Sequence, residues 1–276
     1  MKRSSSRFPA KRTKFLNPPV QELRIGLFFL PISELRAQHV GSFWDCIREK
    51  YPSCEQQPPI IGRAEGQAQT QALFQPAAGE LFPLPGFAFS SDSHPMLIRV
   101  QRNAFMLNWR REATTEDYPH YEAVVEEFWR ELQGFRIFVG KSVGGKIDPI
   151  ERCELTYVNL VAPNETFENP DQVLDVLPHA KSLFSIQTED RRVTGLNATV
   201  VHRLNPTLSI DTSIRLGQRM DAKGLAAILE LKAHGVPVDL SLDAARDWYD
   251  SAHDAIYQLF LDATDKKVQK TIWKPR

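Results

Sequence analysis

Two features of the chain invite a chemical reading: a glycine–lysine segment and a set of scattered histidines. The segment Gly140-Lys141-Ser142-Val143-Gly144-Gly145-Lys146 has the spacing G-x-x-x-x-G-K of a phosphate-binding loop. Such a loop needs Ser or Thr next, to hold magnesium, and it must join a strand to a helix. Ile147 stands in that place, the segment follows a helical pattern, and Asp148-Pro149 opposes a new helix. The segment is therefore read as a helix-to-strand connection.

The histidines are His39, His94, His120, His179, His202, His234 and His253. None forms HxH, HExxH or a Cys/His cluster of zinc spacing, so no metal and no cofactor are expected. His253 stands out. It flanks the apolar stripe of the last helical segment, three residues after Asp250 and beside Asp254. A neighbouring carboxylate can make an imidazole a proton acceptor or a switch. No nucleophile accompanies it, so no catalytic residue is assigned. Asp243, Asp247, Asp250 and Asp254 share one face of the same helix and could meet a cation or the chain's own basic tail. A solvated face is the plainer reading.

A third group combines aromatic and basic residues: Asn108-Trp109-Arg110-Arg111, then Tyr118-Pro119-His120-Tyr121. It could offer a stacking platform for a planar group. Trp109 shares a strand face with Phe105 and Leu107 and belongs to the core, which leaves Asn108 and Arg110 on the other face, free for recognition.

These residues must be positioned by regular elements. Residues 23–30 read as a central strand, apolar on both faces, and Ser33 caps a helix running to about Lys50 with Val40, Phe43 and Ile47 inward. The Pro- and Gln-rich stretch 52–95 is irregular, with a short strand near Ile60 or Leu73. Residues 97–101 and 104–110 form a hairpin turning at Arg102-Asn103. Thr114 or Thr115 caps a helix over 118–135 with Tyr121, Val125, Phe128 and Leu132 inward, and 153–161 alternates as a strand. This gives the order βαββαβ, that of a ferredoxin-like split βαβ. A short helix over 171–177 follows. Residues 184–188, 196–204, 208–216 and 226–233 then read as an antiparallel meander, and Ser241 caps a long helix to about Thr264. The expected class is α+β: a βαββαβ first half, then a β-meander closed by a long C-terminal helix. The expected organisation is a disordered basic tail over 1–16, an α+β half over 17–165, and the meander with its helix over 166–276, continuous with the first half.

Composition bounds the rest. Net charge is zero, yet residues 1–14 carry six Lys or Arg and no acid, and 265–276 carry five against Asp265. An acidic body with basic ends is not the footprint of a nucleic-acid-binding face, so nucleic acid could be touched only through the tail. The longest strongly apolar run, residues 25–32, is too short to span a bilayer. Cys46, Cys54 and Cys153 make no disulfide framework, and Cys153 sits in an apolar strand pattern. A cytoplasmic location without membrane partners is expected.

Asn17-Pro18-Pro19-Val20, Phe43-Trp44 with Tyr51-Pro52, Asn108-Trp109-Arg110, Tyr118-Pro119-x-Tyr121, Leu155-Thr156-Tyr157-Val158-Asn159 and Ala252-His253-Asp254-x-Ile256 with Phe260 occur in this order. Over about residues 17–273 the chain resembles a sporadically distributed, uncharacterised family of conserved bacterial proteins. The resemblance implies no activity, cofactor or catalytic residue; its scattered occurrence implies accessory genes on mobile or defence-related loci.

The residues point first to a non-catalytic binding or regulatory protein that takes a small ligand or a protein partner. Asn108, Arg110, Tyr121, Asn159 and His253 are the polar groups expected near its cleft. An enzyme using His253 as acid/base, and weak nucleic-acid binding through the basic tail, are the alternatives.

Overall fold

The computed structural model describes residues 14–60, 84–92, 94–111, 118–161, 170–182, 195–218 and 225–276. Its organising strand is β1 (Val20–Phe29), in which Leu23, Ile25, Leu27 and Phe29 alternate onto one face and are wholly buried. In chain order the further strands are β2 (Ser53–Gln57), β3 (Gly86–Ser91), β4 (His94–Gln101), β5 (Ala104–Arg110), β6 (Ile150–Val161), β7 (Leu196–Asn205), β8 (Leu208–Gln218) and β9 (Leu225–Gly235). All nine join one antiparallel sheet in the order β2-β3-β4-β5-β1-β6-β9-β8-β7, with β1 at its centre. The second-half meander β7-β8-β9 continues the first-half sheet through the pairing of β9 with β6.

The first half carries two strands more than the expected βαββαβ order. Its sequence is β1, α1 (Ala37–Ile47), β2, β3, β4, β5, α2 (His120–Phe138), β6. Of the strand expected near Ile60 or Leu73, Ile60 itself lies outside the described strands: it packs on Phe28, Ala104 and Met106, and its backbone N–H and C=O both bond the Gln101 side-chain amide. Leu73, Thr114, Thr115 and the strand expected over 184–188 lie outside the described residues. The short helix expected over 171–177 is a 3-10 turn, Pro170–Val176, followed by α3 (Pro178–Ser182).

The helices cover one sheet face. Register places Leu23, Trp109 and Tyr157 on that face, with Ile25, Leu107 and Leu155 beside them. Phe43 of α1 meets Phe89 and Phe135, and Phe105 meets Phe128 and Phe135 of α2. The α2 stripe is Tyr121, Val124, Phe128, Leu132 and Phe135, with Val125 only half-buried. Lys50, just beyond α1, ties to Glu127 and Glu131 of α2, the latter at 2.6 Å.

The long helix α4 (Leu242–Ala263) begins where Ser241 Oγ accepts the backbone N–H of Ala244. Ala245, Trp248, Tyr249, Ala252, Ile256 and Phe260 are its buried stripe. Tyr249 donates to the Gly26 carbonyl at 2.6 Å and Trp248 Nε1 to the Thr207 carbonyl at 2.8 Å, which clamps α4 to the sheet at two points. Gly235 allows this approach: a Cβ there would lie 1.9 Å from the Thr207 oxygen.

The glycine–lysine segment ends α2. The helix widens into a π turn, Val139–Val143, and stops at Gly144, whose φ of 80° is left-handed. Both Gly144 and Gly145 donate their N–H to the Val139 carbonyl. The spacing G-x-x-x-x-G-K here terminates a helix.

The chain ends meet. Phe15 bridges to Pro275, and Leu16 and Asn17 donate to the carbonyls of Lys274 and Trp273. The basic tail expected through residue 16 is thus paired from Lys14 onward, beside α5 (Lys266–Val268) and the π turn Gln269–Trp273 that follows it. Among the described residues no helix is long and apolar enough to cross a membrane.

Candidate functional site

A cavity of about 90 Å³ opens between the sheet, the start of α2, the second half of α4 and the paired chain ends. Its floor is Val20 of β1, Tyr157 and Asn159 of β6, and Leu231 of β9. Period-2 alternation puts Tyr157, Asn159 and Leu231 on the helix-covered face, and a register shift in β1 between Val20 and Glu22 brings Val20, paired with Asn159, to the same side. His253, Ile256, Tyr257 and Phe260 of α4 form one wall, since residues three and four apart share a helix face. The opposite rim is Tyr118, His120, Tyr121 and Glu122. Phe15 closes the end, packed edge-on against Phe260 and Trp273.

The polar groups of this cavity form a chain. Tyr118 donates its O–H to the Tyr157 oxygen at 3.2 Å, and the Tyr157 oxygen lies 2.9 Å from His253 Nδ1. Burial holds both phenols well above the usual tyrosine range, so both remain neutral. The Tyr157 oxygen thus joins the Tyr118 hydroxyl to Nδ1 of the His253 ring, and Nε2 is the ring's other nitrogen. The His253 ring also lies flat on Tyr121, centroids 4.0 Å apart, and Tyr121 donates its O–H to Asp250 at 3.1 Å. Asp250 and His253, three apart on α4, thus hold Tyr121 and Tyr157 in place.

His120 adds a strained element. It opens α2 with φ of 68°, in the left-handed region, and its ring sits edge-on to Tyr118 at 5.3 Å. A side chain in that region costs about 1–2 kcal/mol and persists only where the surroundings impose it. At the mouth, Lys14 and Glu122 form a half-exposed ion pair at 3.3 Å.

Of the five polar residues expected together, three meet here: Tyr121, Asn159 and His253. Asn159 is wholly buried and donates Nδ2 to the Leu229 carbonyl at 3.1 Å, so it also acts as a strut between β6 and β9. Asn108 and Arg110 do not join them. The β5 register that buries Trp109 turns both onto the opposite sheet face, where Asn108 meets Glu22 at 3.4 Å and Arg110 is exposed. That face carries alternating charges: Arg24 with Glu22 and Glu230, Arg152 and Lys232 with Glu154, His234 with Asp211. Arg111, grouped with Arg110 in the sequence, donates its guanidinium to the Pro18 carbonyl at 3.2 Å.

Sequence reasoning placed Tyr118 in the aromatic–basic group but not near the cleft, and it missed Tyr157, which stood in an alternating strand. Its signal was parity with Asn159, which puts both on one face two residues apart. Asp243 and Asp247 of the acidic stripe are exposed on α4, away from the phenol–imidazole chain. No cluster of three or more His, Cys, Asp or Glu suited to a metal occurs among the described residues.

Fold and site together define an α+β protein: one antiparallel sheet, helix-covered on one face, with a tyrosine–histidine pocket where the last helix crosses the central strands. Comparison with protein-family models finds none that matches the chain, and comparison with curated proteins finds no significant relative.

Proposed function

We propose that this protein binds a small molecule, with an apolar body and one polar head, in the tyrosine–histidine pocket, as a non-catalytic binding or regulatory component. The observation that carries the reading is the lining itself. Val20, Leu231, Ile256 and Phe260 supply apolar walls, while His253 presents one imidazole held in a fixed orientation. A mostly apolar concavity with a few convergent polar groups is the usual form of a small-molecule site. The cavity volume suits a single ring or a short acyl group. The neighbouring strands β4-β5-β1-β6 with α1 and α2 support reading the first half as a ferredoxin-like core enlarged by β2 and β3. The resemblance to a sporadic bacterial family, and with it an accessory role at a mobile or defence-related locus, belongs to the same proposal. So does a cytoplasmic location, which the three free cysteines support.

The test uses phenol, indole and benzoate as probes, followed by saturation-transfer NMR on the full chain. At least one probe is expected to bind. His253→Ala and Tyr157→Phe are expected to weaken it about tenfold, a loss of about 1.4 kcal/mol. Arg110→Ala and Asn108→Ala, on the other sheet face, are expected to leave it unchanged. Binding that ignores the pocket substitutions would overturn the assignment.

A second reading is favoured by one specific contact. His253 faces a second titratable group, Tyr157, inside a pocket rather than on open surface. That is the arrangement an acid/base histidine requires. Under this reading Tyr157 orients the ring through Nδ1, and Nε2 accepts a proton as neutral imidazole and gives it up as imidazolium. A bell-shaped pH–rate profile abolished by His253→Gln would mark it.

A further inference from the structure

The two edges of the sheet are built differently. β2 is five residues long, reads Ser-Cys-Glu-Gln-Gln, and lies between Pro52 and the pair Pro58-Pro59. Short length, a charge and flanking prolines are the usual guards of an exposed edge. β7 is guarded less: its one proline neighbour, Pro206, follows the strand. It is ten residues long, contains no proline, and carries Arg203 as its one formal charge. Among the described residues it pairs with β8 alone. Val200, Val201 and Leu204 are 54%, 60% and 42% exposed on it.

Val200 and Val201 are consecutive, so they point to opposite faces of the sheet. A partner seated on either face could cover one of them only. A strand added to the edge flanks both. The faces beside β7 leave room for this, because α4 packs over β6 and β9.

We propose that β7 is a self-association edge, on which a second copy of this chain pairs antiparallel about a two-fold axis at Val200. In an antiparallel pair, residues directly opposite share a face. Centring the axis on Val200 sets Val200 opposite itself, Thr199 opposite Val201, Ala198 opposite His202, Asn197 opposite Arg203 and Leu196 opposite Leu204. Apolar residues meet apolar ones at the centre and at the ends. Each guanidinium meets an amide, and no like charges are opposed. Centring on Val201 would instead set Leu196 against Pro206, outside the strand. Centring on Arg203 would oppose two guanidinium groups. Of these three registers only the one centred on Val200 keeps every pair within the strand and opposes no like charges, and this self-complementarity favours a second copy as occupant. The result would be a closed, isologous dimer with one continuous sheet.

The experiment is light scattering coupled to size exclusion on the full chain, over about 1 to 100 µM, the range that reads a micromolar dissociation constant. A concentration-dependent dimer is expected. Val200→Lys sets two ammonium groups face to face and is expected to raise the dissociation constant more than about tenfold. Asn197→Asp, which places a carboxylate opposite Arg203, is expected to tighten the dimer several-fold. Asn197→Arg is expected to loosen it comparably. Asn197 is exposed, so this pair of substitutions reads the register even where Val200→Lys impairs folding. A chain that stays monomeric at the highest concentration overturns the proposal. So does a dimer indifferent to all three substitutions, or a mixed complex with an unrelated extended peptide that excludes self-pairing.

Discussion

The imidazole of His253 lies parallel to the phenol ring of Tyr121, with centroids 4.0 Å apart and an interplanar angle of 11°. The two residues are 132 positions apart in the chain and belong to different helices. Their stacking fixes the ring plane of His253, and the Tyr157 contact at 2.9 Å fixes its rotation within that plane. A histidine held in both respects presents a single nitrogen to the cavity in a set direction.

Tyr157→Phe removes the hydroxyl between Tyr118 and His253. Two half-buried polar groups lose a partner, so the expected loss is about 1 kcal/mol. Urea unfolding measures it. Nitrogen NMR of the His253 ring is expected to show a shifted Nδ1 resonance, because its hydrogen-bond partner is gone.

Alkaline pH should unfold the protein through its buried acids. Burial pushes the Cys153 thiol up to about 12 from an ordinary value of 9.0, and it raises the Tyr157 and Tyr249 phenols in the same direction. The unfolded chain then releases these protons first, so stability falls as pH rises. For Cys153 the stabilisation is complete below pH 9 and is lost progressively toward pH 12. Unfolding titrations across that range are expected to slope downward. A thiol reagent at pH 8 should label the exposed Cys46 and Cys54 and spare Cys153.

Gly235→Ala would drive a methyl group to 1.9 Å from the Thr207 carbonyl oxygen, the same oxygen that receives the Trp248 N–H. Backbone cannot yield as a flexible side chain would. The β7–β8 turn and the start of α4 must separate, and the expected cost is about 3 kcal/mol, at the upper end for overpacking. Thermal unfolding checks it, with Gly217→Ala as control, since nothing lies within 4 Å of a Cβ there.

His120→Gly relieves the left-handed strain at the start of α2. Stability is expected to rise by up to about 1 kcal/mol, less than the strain itself because glycine also loosens the unfolded chain. Probe binding in the pocket is expected to weaken, because the ring against Tyr118 is gone. A rise in melting temperature with reduced affinity would mark the strain as maintained for the site.

Much of the framework was legible in the residues. The alternation of Leu23, Ile25, Leu27 and Phe29, apolar on its other face as well at Phe28, predicted the central strand. Ser241 predicted the start of the last helix, and Arg102-Asn103 the β4–β5 turn. Local periodicity and capping are properties of short windows, so a window suffices to read them. β2 was illegible for the same reason: Ser-Cys-Glu-Gln-Gln has no apolar alternation, and only its pairing with β3 makes it a strand.

The site divides along the same line. The sequence by itself marked His253, Tyr121 and Asn159 by residue type, and strand parity sent Asn108 and Arg110 away from Trp109. Which of these shared a cavity depended on which sheet face the helices would cover, and parity within one strand carries no information about that. The covered face was chosen by long-range packing: Phe43 on Phe89, Phe128 on Phe105, Tyr249 on the Gly26 carbonyl. Those contacts join residues far apart in the chain. They brought Tyr118 and Tyr157 to His253 and left Asn108 and Arg110 behind the sheet.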